Sequence, residues 1–286
     1  MRIIRTVRSM KRWSTDSQLR GDKIGFIPTM GALHAGHQSL LQRARRTCDR
    51  VVASLFVNPL QFGPAEDLTQ YPRKLKQDIA LCRQEGVDLL FIPSSQEIYP
   101  DDFQTIVMVA ELSQRWEGQE RPTHFQGVGT IVTKLLNLVR PHRAFFGQKD
   151  YQQALLVQRL VKDLSLPVKI VMCPTIREND GLALSSRNTY LSREQREQAT
   201  VLYSALKAGK AAIKKGMRSA GQICQIMKRL ITNKHIMTID YLAVCHPLTL
   251  EPLTSINGQV ILLGALRLGN IRLIDNLLVH APQDCS

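Results

Sequence analysis

The chain has 286 residues, 44% apolar and 22% charged, with a formal net charge of +14. It is long enough to bury a core in two domains, and its composition excludes a disordered or collagen-like protein. The positive balance raises the question of an anionic partner, but basic residues cluster only briefly, at 2–12, 43–50 and 207–215. Aromatic residues are 6% of the chain and do not interleave with the basic ones as a base-stacking surface requires, so no nucleic-acid partner is expected. Ile3, Ile4 and Val7 are separated by charges, which breaks the apolar centre of a signal peptide, and no apolar run approaches the ~20 residues that span a bilayer. Cys48, Cys82, Cys173, Cys224, Cys245 and Cys285 lie far apart without a C-x-x-C pair, giving neither zinc spacing nor a disulfide framework. A reduced, cytoplasmic protein is expected, with no membrane contact.

From Ile24 onward, short apolar runs alternate with amphipathic segments. The rhythm predicts strands at 24–28, 51–57, 89–92, 144–146 and 168–172, with helices at 36–48, 74–85, 128–138 and 151–164; the last places Leu156, Leu160 and Leu164 on one face. Continuous apolar strands separated by helices define an α/β, Rossmann-like parallel sheet flanked by helices. Beyond Ser192 the pattern changes to a long helix through Lys215, a second helix at 219–231, and strands at 239–245, 259–265 and 272–279. This predicts a smaller C-terminal α+β domain. Polar and glycine residues interrupt the pattern around 176–188, so the domains are placed at 1–176 and 177–286, the second opening with a Ser-Ser-Arg loop.

Pro28-Thr-Met-Gly-Ala-Leu-His-Ala-Gly-His-Gln-Ser-Leu40 lies between the first strand and the first helix. In an open α/β sheet, ligands bind beyond the carboxyl ends of the strands, and a helix start offers free N–H groups to phosphate. Gly31 and Gly36 allow close backbone approach. His37-Gln38 replace the Lys-Ser/Thr of a P-loop, and the G-x-G-x-x-G pattern is absent. What remains is His-x-Gly-His, with His34 and His37 on one face of a helix start. Imidazole N–H groups suit phosphate oxygens whose charge builds in a transition state. A lone histidine here would read as a helix cap; two in a glycine frame point to ligand chemistry, and no third group nearby suggests metal.

Six blocks, in order, carry a resemblance: Pro28 to His37, Phe56-Val-Asn-Pro-Leu-Gln-Phe-Gly63, Tyr71-Pro-Arg73, Arg121-Pro-Thr-His-Phe-Gln-Gly-Val128, Phe146-Gly-Gln-Lys-Asp-Tyr-Gln-Gln153 and Leu184-Ser-Ser-Arg-Asn188. Together they resemble the pantothenate synthetase family of His-x-Gly-His nucleotidyltransferases. The N-terminal Ile3-Ile-Arg-Thr-Val7 is also similar to that family, while the region beyond Ser192 is similar only in general character.

The resemblance implies an ATP-dependent ligase that joins pantoate to β-alanine through a pantoyl adenylate, releasing AMP and pyrophosphate. It implies an ATP site formed by Pro28, Met30, Gly31, Ala32, Leu33, His34, Ala35, Gly36, His37, Gly147, Gln148, Lys149, Asp150, Ile176, Leu184, Ser185, Ser186 and Arg187. His37 would donate a proton to the triphosphate, His34 would assist, and Lys149 and Arg187 would meet phosphate charge. The adjacency of Lys149 and Asp150 argues against a structural ion pair between them, because helix neighbours do not face each other. Leu184-Ser-Ser-Arg187 resembles the mobile Lys-Met-Ser-Lys-Ser loop; Leu184 replaces the usual methionine, an apolar exchange of similar volume. Gln61, Gln153, Asn58 and Tyr71 are implied for pantoate and β-alanine. Mg²⁺ is expected with ATP, its ligands unknown; Asp78 is a candidate by analogy, with a solvated helix face as the alternative. A homodimer is also implied.

Two other classes of protein share parts of this pattern. Another nucleotidyltransferase would leave the nucleotidyl group in its product, and an RNA-binding protein would show salt-dependent RNA binding without ATP turnover.

Overall fold

In the computed structural model, residues 1–64, 66–232 and 237–282 are described. They form two compact units, 1–148 with 152–174, and 149–151 with 175–286.

The first unit runs β1 (Arg2–Ile4), α1 (Val7–Leu19), β2 (Ile24–Thr29), α2 (Ala35–Arg45), β3 (Arg50–Leu55), α3 (Leu75–Gln84), β4 (Leu89–Phe91), α4 (Ser95–Ile98), α5 (Glu117–Glu120), α6 (His124–Val139), β5 (Arg143–Gly147), α7 (Tyr151–Asp163) and β6 (Lys169–Cys173). Its six strands are parallel, in the order β1-β4-β3-β2-β5-β6. Alternate residues of each strand feed opposite faces, as a period of two dictates. Ile24, Phe26, Val52, Leu89, Phe91, Ala144 and Phe146 pack with Met10, Val128, Val132, Leu135 and Val157. Ile27, Val51, Ala53, Leu55, Leu90 and Phe145 pack with Leu40, Leu41, Ala44 and Cys82. Strand order reverses between β2 and β5, so the carboxyl ends at Thr29 and Gly147 open the switch point where such sheets bind ligands.

α6 is pressed against the turn that follows β3. A Cβ at Gly127 would lie 2.3 Å from the Leu60 carbonyl oxygen, so only glycine permits this approach. Buried Thr130 receives the Val107 N–H at 3.0 Å on the same helix.

The second unit holds α8 (Arg193–Gln198), α9 (Val201–Lys214), α10 (Ala220–Thr232) and the antiparallel sheet β7 (Met237–Cys245), β8 (Gln259–Leu268) and β9 (Ile271–His280). Leu202, Leu206, Ile213, Ile223 and Met227 pack with Val244, Val260, Leu262, Leu266, Leu273 and Val279.

The parallel sheet with a smaller α+β unit is the architecture the sequence pattern predicts. Four local expectations are corrected. The sequence pattern assigned no element before Ile24, yet β1 and α1 form there; the buried face of α1 is Met10, Ser14 and Ser17, and two serines hide its apolar period. The helix expected from Ser192 through Lys215 is two helices, α8 and α9. They meet at Thr200, whose Oγ1 donates to the Glu197 carbonyl at 3.1 Å, and α8 buries no side chain. Leu156 and Leu160 are buried, but Leu164 lies beyond the end of α7 and is exposed. Lys149 belongs to a 3-10 turn at Gln148–Asp150, before α7 begins.

Cys48, Cys82, Cys173, Cys224 and Cys245 are in no disulfide, and Cys285 lies outside the described residues. Burial, reinforced by the charge of Asp78, pushes the Cys82 thiol up to about 12, which leaves it unreactive. Among the described residues, no helix is long and apolar enough to cross a membrane.

Candidate active site

The segment after β2 is a fixed turn. Gly31 and Ala32 have φ of 87° and 50°, a consecutive left-handed pair that costs energy at alanine and must be held from outside. Asp78, buried on α3, holds it: its Oδ2 accepts the Ala32 N–H at 3.0 Å and its Oδ1 accepts the Leu33 N–H at 2.8 Å. Thr29 Oγ1 accepts the Gly31 N–H at 3.2 Å and donates to the Ser54 carbonyl at 2.8 Å, which ties the turn to β3. The solvated-face reading of Asp78 is therefore corrected. Its carboxylate is buried, and each of its oxygens accepts a loop N–H. No group of three or more His, Cys, Asp or Glu among the described residues is arranged to hold a metal.

The two histidines start α2 by capping it reciprocally. His34 Nδ1 accepts the Gly36 N–H at 3.1 Å, and His37 Nδ1 accepts the His34 N–H at 3.4 Å. Their rings lie 4.2 Å apart, centroid to centroid. The cap reading of a histidine is thus true of both, and it is compatible with ligand chemistry. A neutral imidazole that accepts at Nδ1 carries its proton at Nε2, so each ring presents an Nε2–H donor. Ala35 and Gly36 supply the first turn of the helix, whose amides carry the positive end of its dipole. Pro28 is the penultimate residue of β2, in register with Ser54.

Gln61 and Asn58 are brought together with this turn. Gln61 Nε2 lies 2.9 Å from Met30 Sδ, and its Oε1 accepts Asn58 Nδ2 at 3.1 Å. Asn58 Nδ2 also donates to the Gly127 carbonyl at 3.0 Å, and its Oδ1 accepts the Tyr99 hydroxyl at 2.8 Å. Beneath Gln61 stands His124, whose functional place the motif did not disclose. His124 Nδ1 lies 3.0 Å from the Gln61 carbonyl oxygen, which can only accept, so Nδ1 carries the proton. Nε2 then accepts from Arg121 Nη1 at 3.2 Å, and Arg121 forks onto Glu66 at 2.5 and 2.9 Å. Burial, and then the Arg121 charge, pull the His124 imidazole down to about 4. Tyr71 is buried edge-on against Phe62 at 5.9 Å between ring centroids. Gln153 is half-buried on the first turn of α7, while its neighbour Gln152 is buried and spent on the Leu112 and Arg115 carbonyls, each at 2.7 Å. Gly147 ends β5, where an added Cβ would meet nothing within 4 Å, and Gln148 follows it in the 3-10 turn.

The remaining candidates lie in the second unit. Lys149 Nζ pairs with Asp150 Oδ1 at 3.3 Å, against the expectation from adjacency. The spacing argument applies to an α-helix, whereas this 3-10 turn lets the long lysine chain fold back on its neighbour; Asp150 is half exposed. Residues 176–184 form a small hairpin, with Leu184 N–H donating to the Ile176 carbonyl at 3.0 Å and Arg177 bridging to Ala183. Arg196 grips its tip through Glu178 at 2.5 Å and Asp180 at 2.7 Å, and this guanidinium holds the Asp180 carboxyl below its usual range. Ser185 caps the short turn Ser186–Tyr190, its Oγ accepting the Arg187 N–H at 3.3 Å.

A parallel sheet whose switch point carries a glycine turn and a histidine-capped helix, with a second unit bearing a Ser-Ser-Arg turn, defines an α/β protein of the nucleotide-binding class. The family model of pantoate-beta-alanine ligase matches residues 2–278. Pantothenate synthetases of Heliobacterium modesticaldum and Thermotoga petrophila are 47% and 48% identical over 280 and 279 residues, 98% of this chain and 100% of each relative. The crystal structure of the pantothenate synthetase of Thermus thermophilus matches with a TM-score of 0.92 at 48% identity, covering 97% of this chain and 99% of that one. A pantoate-beta-alanine ligase of Francisella tularensis, complexed with beta-gamma ATP and beta-alanine, matches with a TM-score of 0.80 at 35% identity, covering 97% of both chains. The chain belongs to the pantoate-beta-alanine ligase family, and is an enzyme that forms an amide bond.

His124 yields a pH test. The folded protein keeps it neutral down to about pH 4, whereas the unfolded chain takes up the proton near 6.5. The unfolded state binds more protons in that window, so stability falls as pH drops from 6.5 towards 4, by about 3 kcal/mol in all. Urea midpoints measured across that range are expected to show the fall in the wild type and a flatter profile in His124→Gln; equal slopes would remove His124 from the account.

Proposed function

We propose that the turn after β2 grips the triphosphate of ATP while a carboxylate oxygen of pantoate attacks the α-phosphorus in line. The new O–P bond forms as the bond to the bridging oxygen breaks, and pyrophosphate leaves. The amine of β-alanine then attacks the carbonyl carbon of the adenylate, AMP departs with the electron pair, and the amine's surplus proton is lost. A carboxylate alone has no adequate leaving group; the mixed anhydride supplies one. The observation that carries this reading is the tautomer imposed on His34 and His37, because both rings offer Nε2–H donors beside the first-turn amides of α2.

The other roles follow from chemistry. His37, with His34, donates hydrogen bonds to the triphosphate as charge builds on its oxygens. Gly147 leaves room at the end of β5 for a nucleotide, with Gln148, Asp150 and the Ile176 and Leu184 backbone as candidate adenosine contacts. Lys149 and Arg187, with Ser185 and Ser186, supply positive charge and hydroxyls to the phosphates. Gln61, Asn58, Gln153 and Tyr71 suit pantoate, whose carboxylate and two hydroxyls call for groups that both donate and accept. Mg²⁺ would enter this site with the triphosphate and offset phosphate charge when bound; the Asp78 oxygens already hold the loop. A cytoplasmic homodimer completes the reading. The segment 104–109 supports the homodimer, because it lies outside the helices and both sheets with Ile106 and Met108 each 56% exposed.

Three measurements test the reading. ATP–pyrophosphate exchange is expected to require pantoate and a divalent cation but not β-alanine; exchange that needs β-alanine would rule out a free-standing adenylate. His37→Ala is expected to lower turnover by ~10²-fold or more, the usual cost of losing a donor to transition-state charge, and a near-normal rate would refute its role. Sedimentation should give a dimer that Ile106→Lys with Met108→Lys dissociates; a wild-type monomer would end that part.

A further inference from the structure

β9 carries an anomaly. Ile271, Leu273, Leu277 and Val279 belong to the core shared with α9 and α10, and the strand period puts Asp275 in the middle of that apolar stripe. Asp275 and Asn276 are 5% and 2% exposed, so a charge and an amide are buried where aliphatic side chains would pack at no desolvation cost.

Each has a specific partner. Arg177 forks onto Asp275, Nη1 to Oδ2 at 2.6 Å and Nη2 to Oδ1 at 2.8 Å. Arg177 also donates to the Gly181 carbonyl at 3.1 Å and stacks over Tyr203 at 3.8 Å. It therefore fixes the stem of the hairpin that delivers Ser185, Ser186 and Arg187. Asn276 points the other way, as the next residue on a strand must, and its Nδ2 donates to the Lys149 carbonyl at 2.9 Å. The Asn276 N–H donates back to Asp275 Oδ1 at 2.8 Å and joins the two arms. A forked pair and a directed amide set geometry more sharply than aliphatic packing does.

We propose that Asp275-Asn276 is a positioning pair that holds Lys149 and the Ser-Ser-Arg turn in one fixed relation, so that both cations meet the phosphates of a single nucleotide. It rests on the assignment of Lys149 and Arg187 to the triphosphate. Neither Asp275 nor Asn276 touches substrate; each acts through the cation whose backbone or stem it holds.

Double-mutant cycles on pyrophosphate exchange test this, with kcat and KM for ATP read separately and thermal midpoints recorded. Asn276→Leu is expected to lower exchange kcat about 10-fold with Lys149 present and less than about 2-fold in Lys149→Ala, because coupled residues are non-additive. Asp275→Asn should behave likewise against Arg187→Ala. If Asn276→Leu does not fold, Asn276→Ser, smaller and still polar, takes its place in the cycle. Equal fold-losses in both backgrounds, or losses that merely track the thermal midpoint, would reduce the pair to a folding role and overturn the proposal. Lys149→Ala and Arg187→Ala at full exchange rate would instead sink the cation assignment, and the positioning pair with it.

Discussion

A single carboxylate holds the candidate active site in shape. Asp78 takes the N–H groups of Ala32 and Leu33 on its two oxygens, and that grip keeps Gly31 and Ala32 in the left-handed region where an alanine is strained. Without it the chain leaving β2 would relax, and the start of α2, with both histidines, would lose its orientation. The carboxylate has the same physical standing as an N-cap: it satisfies donors that a turn would otherwise strand. Because it is buried, the bonds are made once, in folding, and cost nothing when substrate arrives.

From that turn outward, neighbouring groups are fixed in turn. The capping bonds decide the histidine tautomers, and the tautomers decide which nitrogen donates. The Met30–Gln61–Asn58 cluster is built on the close approach of Gly127 to Leu60, and His124 carries the Gln61 backbone. In the second unit the same economy recurs, with Arg196 closing the hairpin tip and Arg177 its stem. Geometry is set by directed hydrogen bonds or ion pairs at each of these places, while apolar packing supplies the bulk of the folding energy.

The sheet was legible because buried parallel strands are continuous apolar runs, and β2, β3, β4 and β5 all read that way. The Pro28 to His37 turn was legible because glycine and histidine together have few structural uses. α1 was obscured by serines on its buried face. Asp78 was obscured because one acidic residue in an amphipathic helix looks like every other; only the fold reveals that two amides wait opposite it. The Lys149–Asp150 pair was misread because the spacing rule was applied to a turn that is not α-helical. Asp275-Asn276 left a trace, a polar dipeptide inside Leu273-Ile-Asp-Asn-Leu277, but its partners lie about a hundred residues or more away in the chain.

The central claim is that the histidine-capped start of α2 receives the triphosphate. A crystal structure with a non-hydrolysable ATP analogue and pantoate tests it most directly. The account predicts phosphate oxygens within hydrogen-bond reach of His34 Nε2, His37 Nε2 and the first amides of α2. A nucleotide seated elsewhere, with that turn vacant, would contradict it.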